Sequence, residues 1–561
     1  MTTIRRLFEE TVANHATSTA IRFHRDGEWR TLSYGELQAR VQSLADAFHE
    51  EIPESPEFPH VALMSENRPE WVECYLAMTG SGYAVVPMDP KFKLAEASYI
   101  WNAAKVFAIF TDQHHLPLIL EALPELPTLR LVVLFDGLPQ TLPETEPRCR
   151  ILDYATLCAP DKPALHPWYA THGPTAQDVA SIIFTSGTTG KPKGALLTHL
   201  NFCSDALGCF DAFGEPITHL DHFLVTLPLF HAFAFTADLI VPFVRGSALT
   251  FVRSLRTISE DAQAVKPTVI MSVPLLAEKT YAKLENRLQQ NRMARFLIAV
   301  GLGRIVGRTV KRALGGKLRF LIVGGAPCPT KVLRAYRKLG LPLLEGYGLT
   351  ECSPVVSIAN VRESRIGTIG RKLPNIEVRI ADPNEQGVGE LQIRGPIVMK
   401  GYFQDPDATR EAVDVDWFKT GDLATLDAEG YLTICGRKKS LIVNREGKNI
   451  YPEEVEFALG RDPLLADLIV LGYTVGKQPG ERVGVVIAPN KDQIRSALGE
   501  NPAWEAEEEL VQNHVKARCA DLADYKHPRK IVVSHEPLER TSVQKVRRCS
   551  YQGTLNEEGQ D

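Results

Sequence analysis

The sequence predicts an α/β protein built from several layered subdomains. At 561 residues the chain is too long for one ordinary hydrophobic core. Short apolar runs such as Val61–Met64 and Leu129–Leu134 alternate with stretches whose apolar residues recur at helical spacing. Several of these runs end in glycine-rich turns, the place where open α/β sheets bind their ligands. These observations favour strands layered against helices, with a ligand site at the strand ends.

Composition narrows the class of protein. The chain is 44% hydrophobic and 23% charged, with a net charge of −5, which argues against general nucleic-acid binding. Its ten cysteines are scattered without a C-x-x-C pair, so we expect a reduced, intracellular protein without structural zinc. The first ten residues turn acidic before any signal-peptide core. Ala237–Val252 is too interrupted to span a bilayer and is interpreted as buried strands. A cytoplasmic protein is expected.

The first 174 residues read as alternating helices and strands. Helical spacing predicts helices over Leu7–His15 and Glu36–Phe48, and a further helix after the turn at 65–70. The predicted strands are Thr19–Phe23, Val61–Met64, Phe107–Thr111 and Leu129–Leu134, with a further short strand between two turns within Gly80–Pro90. Pro139–Pro174 is proline-rich and is predicted to be an irregular surface connection.

A glycine-rich loop, Thr185–Gly194, follows the predicted buried strand Ser181–Phe184. Its glycines allow the backbone to approach a ligand closely, and its hydroxyls and two lysines suit a polyphosphate. It lacks the spacing of a Walker A loop, and Pro192 stands where that motif has its magnesium-binding hydroxyl. The alternative is a mobile Gly/Thr surface loop. The candidate phosphate-binding residues are Thr185, Ser186, Gly187, Thr188, Thr189, Gly190, Lys191 and Lys193.

Two further strands also run into glycine turns. Leu318–Val323 leads into Gly324, Gly325, Ala326 and Pro327. The second turn carries Glu345, Gly346, Tyr347, Gly348, Thr350 and Glu351. Here Tyr347 can stack on a base, Thr350 can bond a phosphate and Glu351 can hold Mg²⁺, which prefers one or two carboxylates together with phosphate oxygens and water.

Two other segments are candidates for binding. His231 lies in the apolar, aromatic run Leu227–Phe235, where a histidine is either a satisfied core residue or the polar end of an apolar pocket. Arg287–Arg319 holds nine basic and no acidic residues, with several at helical spacing. This stretch is interpreted either as a solvated helix face or as a landing site for anionic lipid or an acidic carrier protein.

Taken together, these motifs resemble those of the adenylate-forming (AMP-binding) superfamily, which includes acyl-CoA synthetases, peptide-synthetase adenylation domains and beetle luciferases. The resemblance covers nearly the whole chain, in the superfamily's order. It includes T-S-G-T-T-G-K-P-K-G at the loop, L-P-L-F-H before Ala232 and Y-G-L-T-E at Tyr347–Glu351. The continuation Glu351–Val356 is similar to long-chain fatty acyl-CoA synthetases in particular.

The resemblance implies roles for the candidate residues. It assigns the loop and the turns at 324–327 and 345–348 to ATP, His231 to the carboxylate end of an acyl pocket, and Glu351 to Mg²⁺. Asp422 would bind the ribose, and Arg437 and Lys448 would also contact the nucleotide. Lys545 would be the catalytic lysine. The implied domains are 1–435, which binds ATP and the acyl group, and 436–561, a small mobile α+β domain with its hinge near Cys435–Arg437.

The implied function is ATP-dependent activation of a medium- or long-chain fatty acid, followed by thioester formation with CoA. Two departures affect that thioester step: Glu446 stands where the superfamily commonly has a glycine, and Gln544 replaces a glycine beside Lys545. Ligation to an acyl carrier protein, or to another acceptor, therefore stays open. A P-loop-like nucleotide hydrolase and a non-catalytic binder are the alternatives from other classes. The sequence leaves chain length and oligomeric state undetermined.

Overall fold

The predicted α/β class is confirmed by a computed structural model, which describes residues 2–52, 56–141, 147–158, 167–185, 192–290, 292–446, 448–460, 462–475, 480–540, 546, 548–551 and 553–555. By the density of its internal packing the chain divides into two compact units. The first comprises Met1–Val378 with Ile393–Phe418, and the second comprises Arg379–Gln392 with Lys419–Asp561. Packing density does not define a hinge, so the predicted boundary near Cys435–Arg437 stays a prediction.

Two large sheets form the framework of the first unit. In the nine-stranded sheet the described strands lie in the order Arg371–Lys372, Val355–Ile358, Leu343–Gly348, Phe320–Val323, Val269–Ser272, His222–Val225, Ala248–Phe251, Thr19–Arg25 and Glu28–Ser33. In the eight-stranded sheet the order is Gly401–Tyr402, Lys193–Thr198, Val179–Thr185, Ala84–Met88, His60–Met64, Ala108–Thr111, Leu131–Leu134 and Arg150–Asp153. Most pairs are parallel, which fits their continuous apolar sequences.

Helices connect these strands. The described α-helices of the first unit are Ile4–His15, Tyr34–Glu50, Pro69–Gly80, Leu94–Ala103, Leu116–Ala122, Tyr154–Leu157, Trp168–Thr171, His199–Phe213, Ala232–Ala234, Val241–Val244, Ile258–Val265, Pro274–Gln290, Arg292–Ala299, Gly303–Ala313, Thr330–Lys338 and Pro406–Ala412. Two of the longer ones begin at capping boxes. Ser33 and Glu36 form a capping box for Tyr34–Glu50, and Thr198 and Asn201 do the same for His199–Phe213.

The second unit is smaller. The division between the units falls within the strands Glu377–Ala381, Gly389–Arg394 and Trp417–Leu426, which belong to a five-stranded sheet with Leu432–Arg437 and Val413–Asp414. The rest of the second unit has a hairpin of Ile442–Val443 with Asn449–Ile450 and a three-stranded sheet of Leu465–Tyr473, Arg482–Pro489 and Lys530–Val533. Its described α-helices are Pro452–Leu459, Lys491–Leu498 and Trp504–Arg518.

Two predictions from the sequence are wrong. The first half of Ala237–Val252 is helical: Phe235–Ile240 is a π-helix, Val241–Val244 is α-helical, and only Ala248–Phe251 is a strand. This helical part is almost wholly buried, so its apolar residues show no periodicity that separates helix from strand. The connection Pro139–Pro174 is not irregular throughout, since Arg150–Asp153 adds an edge strand to the eight-stranded sheet.

Candidate functional site

Antiparallel strands support the predicted phosphate loop at both ends. Thr185 is in register with Lys193, and Phe184 with Gly194. A Cβ at Gly194 would lie 2.8 Å from Cγ2 of Ile182, so the close pairing requires glycine there. Ser186, Gly187, Thr188, Thr189, Gly190 and Lys191 lie outside the described residues. The structure therefore places Thr185 and Lys193 on neighbouring strands where the loop begins and ends.

Glu351 lies close to the start of that loop. It sits in the short 3₁₀ turn Thr350–Cys352, directly after the strand Leu343–Gly348. Its Oε1 accepts hydrogen bonds from the Thr185 hydroxyl at 3.4 Å and from the Tyr402 hydroxyl at 3.0 Å. Within the described part of the chain, no lysine or arginine forms an ion pair with it. A carboxylate with hydroxyl neighbours and no cationic partner is chemically suited to hold a metal ion.

Tyr402 was not among the residues identified from the sequence. The two-residue strand Gly401–Tyr402 pairs with the strand that follows the loop, opposite Leu196 and Ala195. This pairing brings the Tyr402 ring to 5.4 Å from Nζ of Lys193. Burial, and secondarily the adjacent Glu351 carboxylate, raise the pKa of the Tyr402 phenol, so it remains a hydrogen-bond donor at neutral pH. No local pattern marks Tyr402, because its role depends on pairing across about 200 residues.

The two glycine turns lie side by side. Val323 is in parallel register with Glu345, so the turn at 324–327 adjoins the segment Glu345–Gly348. Burial raises the pKa of Glu345 to about 7, against the opposing effect of the Cys328 N–H, which donates to it at 3.3 Å. Gly325, Ala326 and Pro327 are exposed. A Cβ at Gly348 would lie 1.8 Å from the Pro354 carbonyl oxygen, which excludes any side chain there.

An apolar cavity of about 50 Å³ opens beside these turns. Phe233, Ala237 and Val241 line one side from the helical segment after His231, and Tyr347, Met271 and Ile322 line the strand side. The Phe233 ring lies so close to Gly324 that a Cβ there would be 3.0 Å from the ring. The chemistry of this lining suits a hydrocarbon group.

His231 is half-buried and immediately precedes the helix Ala232–Ala234. Its ring packs against Phe230, with 4.5 Å between centroids. Asn67 fixes the preceding segment, donating to the Leu227 carbonyl at 2.7 Å and accepting from the Leu229 N–H at 2.8 Å. Asn67 is thus a positioning residue, located in the turn at 65–70 before the predicted helix.

The second unit carries its own group of candidate residues. Asp422 is buried and pairs with Arg437, whose Nε lies 2.7 Å from Oδ1, in the register that joins their strands. Lys448 forms an exposed ion pair with Glu446 at 2.8 Å, an interaction that raises the pKa of Lys448, and its Nζ is 4.6 Å from the centre of the Tyr525 ring. Lys545 lies outside the described residues. The structure brings Asp422 and Arg437 together in a carboxylate–guanidinium pair.

Two known proteins resemble this chain over most of its length. The chain is 31% identical over 474 residues to long-chain-fatty-acid–CoA ligase FadD15 of Mycobacterium bovis, covering 80% of this chain and 76% of the relative. It is 28% identical over 536 residues to human long-chain-fatty-acid–CoA ligase 6, covering 90% and 74%.

Solved structures share the fold. Anthranilate CoA ligase AuaEII in complex with anthranoyl-AMP superposes with a TM-score of 0.77 at 19% identity, covering 99% of this chain and 97% of the other. ATP-bound MatB from Rhodopseudomonas palustris gives 0.74 at 25% identity, covering 99% and 100%.

The AMP-binding enzyme family matches residues 8–403. That range contains Thr185, Glu351 and Tyr402, the three residues that meet at the start of the loop. Because the match covers most of the chain, the protein belongs to the AMP-binding enzyme family.

Proposed function

We propose that the protein activates a medium- or long-chain fatty acid with ATP and transfers the acyl group to the thiol of CoA. In the first step a carboxylate oxygen attacks the α-phosphorus of ATP, and the bond to pyrophosphate breaks. In the second step a thiolate attacks the acyl carbon and AMP leaves. The observation that carries the proposal is the Glu351 carboxylate, which is bonded to Thr185 at the start of the loop and lies in the same unit as the apolar cavity.

The residues of the first unit fit ATP and Mg²⁺. Glu351 would hold the metal, whose role is to neutralise charge on the phosphates. The Thr185 hydroxyl and Lys193, with the loop residues between them, would hold the pyrophosphate. Thr350 would donate to a phosphate oxygen, and Tyr347 would stack on the adenine. Tyr402 would keep the Glu351 carboxylate turned toward the loop.

The acyl group is proposed to occupy the apolar cavity, with its carboxylate near His231. A cavity of about 50 Å³ has room for roughly four water-sized groups. A fatty acyl chain needs more space, and we propose that the Phe233 ring, which rests on Gly324, turns aside when the chain binds. The names of the relatives, which are long-chain-fatty-acid–CoA ligases, support a fatty acid and CoA as the substrates.

The second unit would complete the reaction. Asp422 would accept both ribose hydroxyls, Arg437 and Lys448 would contact the nucleotide, and Lys545 would stabilise charge at the α-phosphate. Both reactants are anionic, so positive charge and positioning are the main requirements of the first step. The proposed hinge near Cys435–Arg437 would let the second unit move between the two steps.

Two thiols are candidate acceptors of the acyl group, that of CoA and that of an acyl carrier protein. Glu446 is exposed and forms an ion pair with Lys448, at a position where the resemblance implies glycine. We therefore retain an acyl carrier protein as the second candidate acceptor. The proposed location is the cytoplasm, with peripheral contact at the inner face of a membrane. Within the described residues, no helix combines the length and apolar character needed to cross a bilayer.

Exchange of labelled pyrophosphate into ATP tests the first step. We expect exchange that depends on added fatty acid, compared across acids of increasing chain length, and loss of exchange in Glu351→Gln. No exchange with any acid would refute the ligase and favour a non-catalytic binder, whereas ATP hydrolysis without acid would favour a nucleotide hydrolase. Adding CoA or acyl carrier protein to active enzyme and identifying the thioester product then determines the acceptor.

A further inference from the structure

We propose that one surface of the first unit docks onto an anionic phospholipid bilayer. The surface, called here the 293–312 face, consists of exposed apolar side chains on and after the helix Arg292–Ala299 together with exposed cations of the helix Gly303–Ala313. Its members are Met293, Phe296, Val300, Leu302, Ile305, Arg304, Arg308 and Arg312.

The net charge of −5 conceals a strongly basic segment within an otherwise acidic chain. Residues 286–344 contain thirteen lysines and arginines and no aspartate or glutamate. Since the whole chain has 63 basic and 68 acidic residues, the remainder carries a charge of −18. A strongly basic surface on an acidic protein is drawn to anionic lipid and is oriented by the same field.

Exposed apolar side chains concentrate on this face. Among the described residues, fourteen large apolar side chains are exposed, and five of them fall within the thirteen positions from Met293 to Ile305. Met293 is 66% exposed and Phe296 is 61% exposed. Met293 and Phe296 follow the spacing i, i+3, so they lie on one side of their helix, and Val300 directly follows its last residue. Apolar side chains surrounded by cations are the pattern of helices that lie in a membrane interface.

The packing of the second helix fixes which side faces outward. A Cβ at Gly307 would lie 1.8 Å from the Leu339 carbonyl oxygen, and one at Gly303 would lie 2.5 Å from that of Lys338. The helix therefore packs directly against the end of the helix Thr330–Lys338. Val306 and Val310 pack into the hydrophobic core beneath. Ile305, Arg308 and Arg312 consequently point away from the protein, and their exposure is not the result of a loose helix.

The cations of the face form no ion pair within the described part of the chain. This holds for Arg304, Arg308 and Arg312, and the segment 286–344 itself contains no aspartate or glutamate. Elsewhere on the surface many arginines are paired, such as Arg371 with Glu363 and Arg394 with Glu377. Unpaired guanidinium groups on one face are available to bind lipid phosphates bidentately.

The position of the face indicates a role in access to the fatty acid substrate, a role that rests on the proposed fatty acid ligase function. The helices that carry it connect the strand Val269–Ser272 to its parallel neighbour Phe320–Val323. Met271 and Ile322, one from each of these strands, line the apolar cavity. A bilayer is where fatty acids partition, so docking there would bring the connection between the cavity strands to the source of substrate.

An acidic carrier protein is the other partner that such charge could attract. Charge alone would suit it equally, but a carrier docked by ion pairs gains nothing from Met293 and Phe296, which protrude by more than half of their surface. Insertion of these side chains among lipid headgroups buries them. The apolar members of the face therefore favour a bilayer.

Vesicle sedimentation with the full-length protein, without ATP or fatty acid, tests the proposal. Vesicles of phosphatidylcholine alone are compared with vesicles containing 30% phosphatidylglycerol. We expect wild-type protein to bind the anionic vesicles, to bind neutral vesicles far more weakly, and to be released progressively by salt. This comparison needs no variant, and it succeeds or fails independently of pyrophosphate exchange.

Two paired substitutions locate the surface. Arg308→Gln with Arg312→Gln is expected to weaken binding roughly twentyfold, from about fivefold per charge. Phe296→Ser with Ile305→Ser is expected to weaken it about tenfold while keeping the salt dependence. The matched controls are Lys491→Gln with Lys516→Gln and Leu220→Ser with Phe457→Ser, which change exposed residues of the same kinds elsewhere. All variants are first checked for wild-type thermal unfolding.

Three results would overturn the proposal. Equal binding to neutral and anionic vesicles would remove the role of charge. Equal losses in the face variants and the controls would place the contact elsewhere. Loss of binding to purified acyl carrier protein in the Arg308/Arg312 variant, without vesicle binding by the wild type, would identify the face as a protein-docking surface instead.

Discussion

At the scale of single residues, Glu351 illustrates how the site was assembled. Its carboxylate accepts hydrogen bonds from the hydroxyl groups of Thr185 and Tyr402, which lie far apart in the sequence. A hydrogen bond to a charged group typically contributes about 1.5–3 kcal/mol. The Tyr402 contact is therefore strong enough to decide where the carboxylate points.

Removing the Tyr402 hydroxyl tests this role. We expect Tyr402→Phe to slow pyrophosphate exchange roughly tenfold or more, because Glu351 loses its 3.0 Å donor, and to leave the KM for the fatty acid unchanged. The matched control is Tyr281→Phe, which removes a tyrosine–glutamate hydrogen bond of the same length, to Glu285, within the helix Pro274–Gln290. Equal effects of the two substitutions on exchange would contradict a positioning role for Tyr402.

Two buried carboxyl groups near the site behave differently. Burial raises the pKa of both Asp205 and Asp238 well above the ordinary value, which favours the neutral form of each carboxyl group. Asp205 accepts a hydrogen bond at 3.1 Å from the N–H of Val355, which follows shortly after the turn Thr350–Cys352. Neither oxygen of Asp238 has a partner among the described residues. Asp205 therefore stabilises the fold through this hydrogen bond, whereas the unsatisfied Asp238 destabilises it.

We expect Asp238→Leu to increase the free energy of unfolding by about 1–3 kcal/mol, because it removes an unsatisfied buried group. The native pKa is raised above the unfolded one, so wild-type stability is lost as pH rises through the interval between them. The gain should therefore grow from about pH 4 upward, by at most about 1.4 kcal/mol per pH unit. Urea unfolding between pH 4 and pH 8 measures it.

Asp205→Leu serves as the contrasting variant. It leaves the Val355 N–H without its acceptor, so we expect lower stability, and Asp205→Asn should largely restore it. A loss of stability in Asp238→Leu as large as that in Asp205→Leu would show that Asp238 also satisfies a partner.

At the scale of elements, the helix Gly303–Ala313 packs closely against its neighbour because two of its residues are glycines without side chains. Gly303 and Gly307 occupy successive turns and lie against backbone carbonyl groups of Lys338 and Leu339. Replacing a helical glycine by alanine ordinarily stabilises a helix by about 1 kcal/mol. At Gly307 the added carbon would overlap the Leu339 oxygen, so the steric term opposes and exceeds that gain.

We expect Gly307→Ala to lower the free energy of unfolding by about 1–3 kcal/mol, as overpacking usually does. Thr309→Ala, on the exposed side of the same helix, is the matched control and should be neutral or slightly stabilising. Denaturant unfolding of both variants measures the difference. An increase in stability for Gly307→Ala would mean that the helix is free to move away from its neighbour.

Elements also show what the sequence can predict. Strands with isolated apolar runs, such as Val61–Met64 and Phe320–Val323, were predicted closely because glycine or polar residues bound them. The helical segment after Phe235 was predicted as strand because burial on all sides removes its periodicity. Tyr402 was missed because a two-residue strand has no pattern of its own. Local signals thus locate most elements, but not the pairings between distant segments.

At the scale of the whole molecule, the chain consists of two compact units with different parts of the proposed chemistry. The first contains Glu351, the ends of the phosphate loop and the apolar cavity. The second contains Asp422, Arg437 and Lys545. Sequence motifs predicted both sets of residues, but a motif carries no information about movement between units.

We expect Lys545→Ala to abolish pyrophosphate exchange while retaining conversion of supplied acyl-adenylate to acyl-CoA, because the lysine's charge is needed only at the α-phosphate in the first step. The two half-reactions are measured separately, and Lys491→Ala is the control for loss of a lysine from the second unit. Equal loss of both half-reactions would indicate a structural role for Lys545.

The pairing of Gly401–Tyr402 with the strand after the loop also affects how the enzyme is made. Thr185 and Tyr402 are separated by 217 residues, which a ribosome takes roughly 10–40 s to add. During that interval the nascent chain already carries the loop, and later Glu351, but not the tyrosine that orients this carboxylate. A product of premature termination before residue 402 would retain the loop and the Tyr347–Glu351 motif, but it would lack the donor that orients Glu351 and the candidate residues of the second unit.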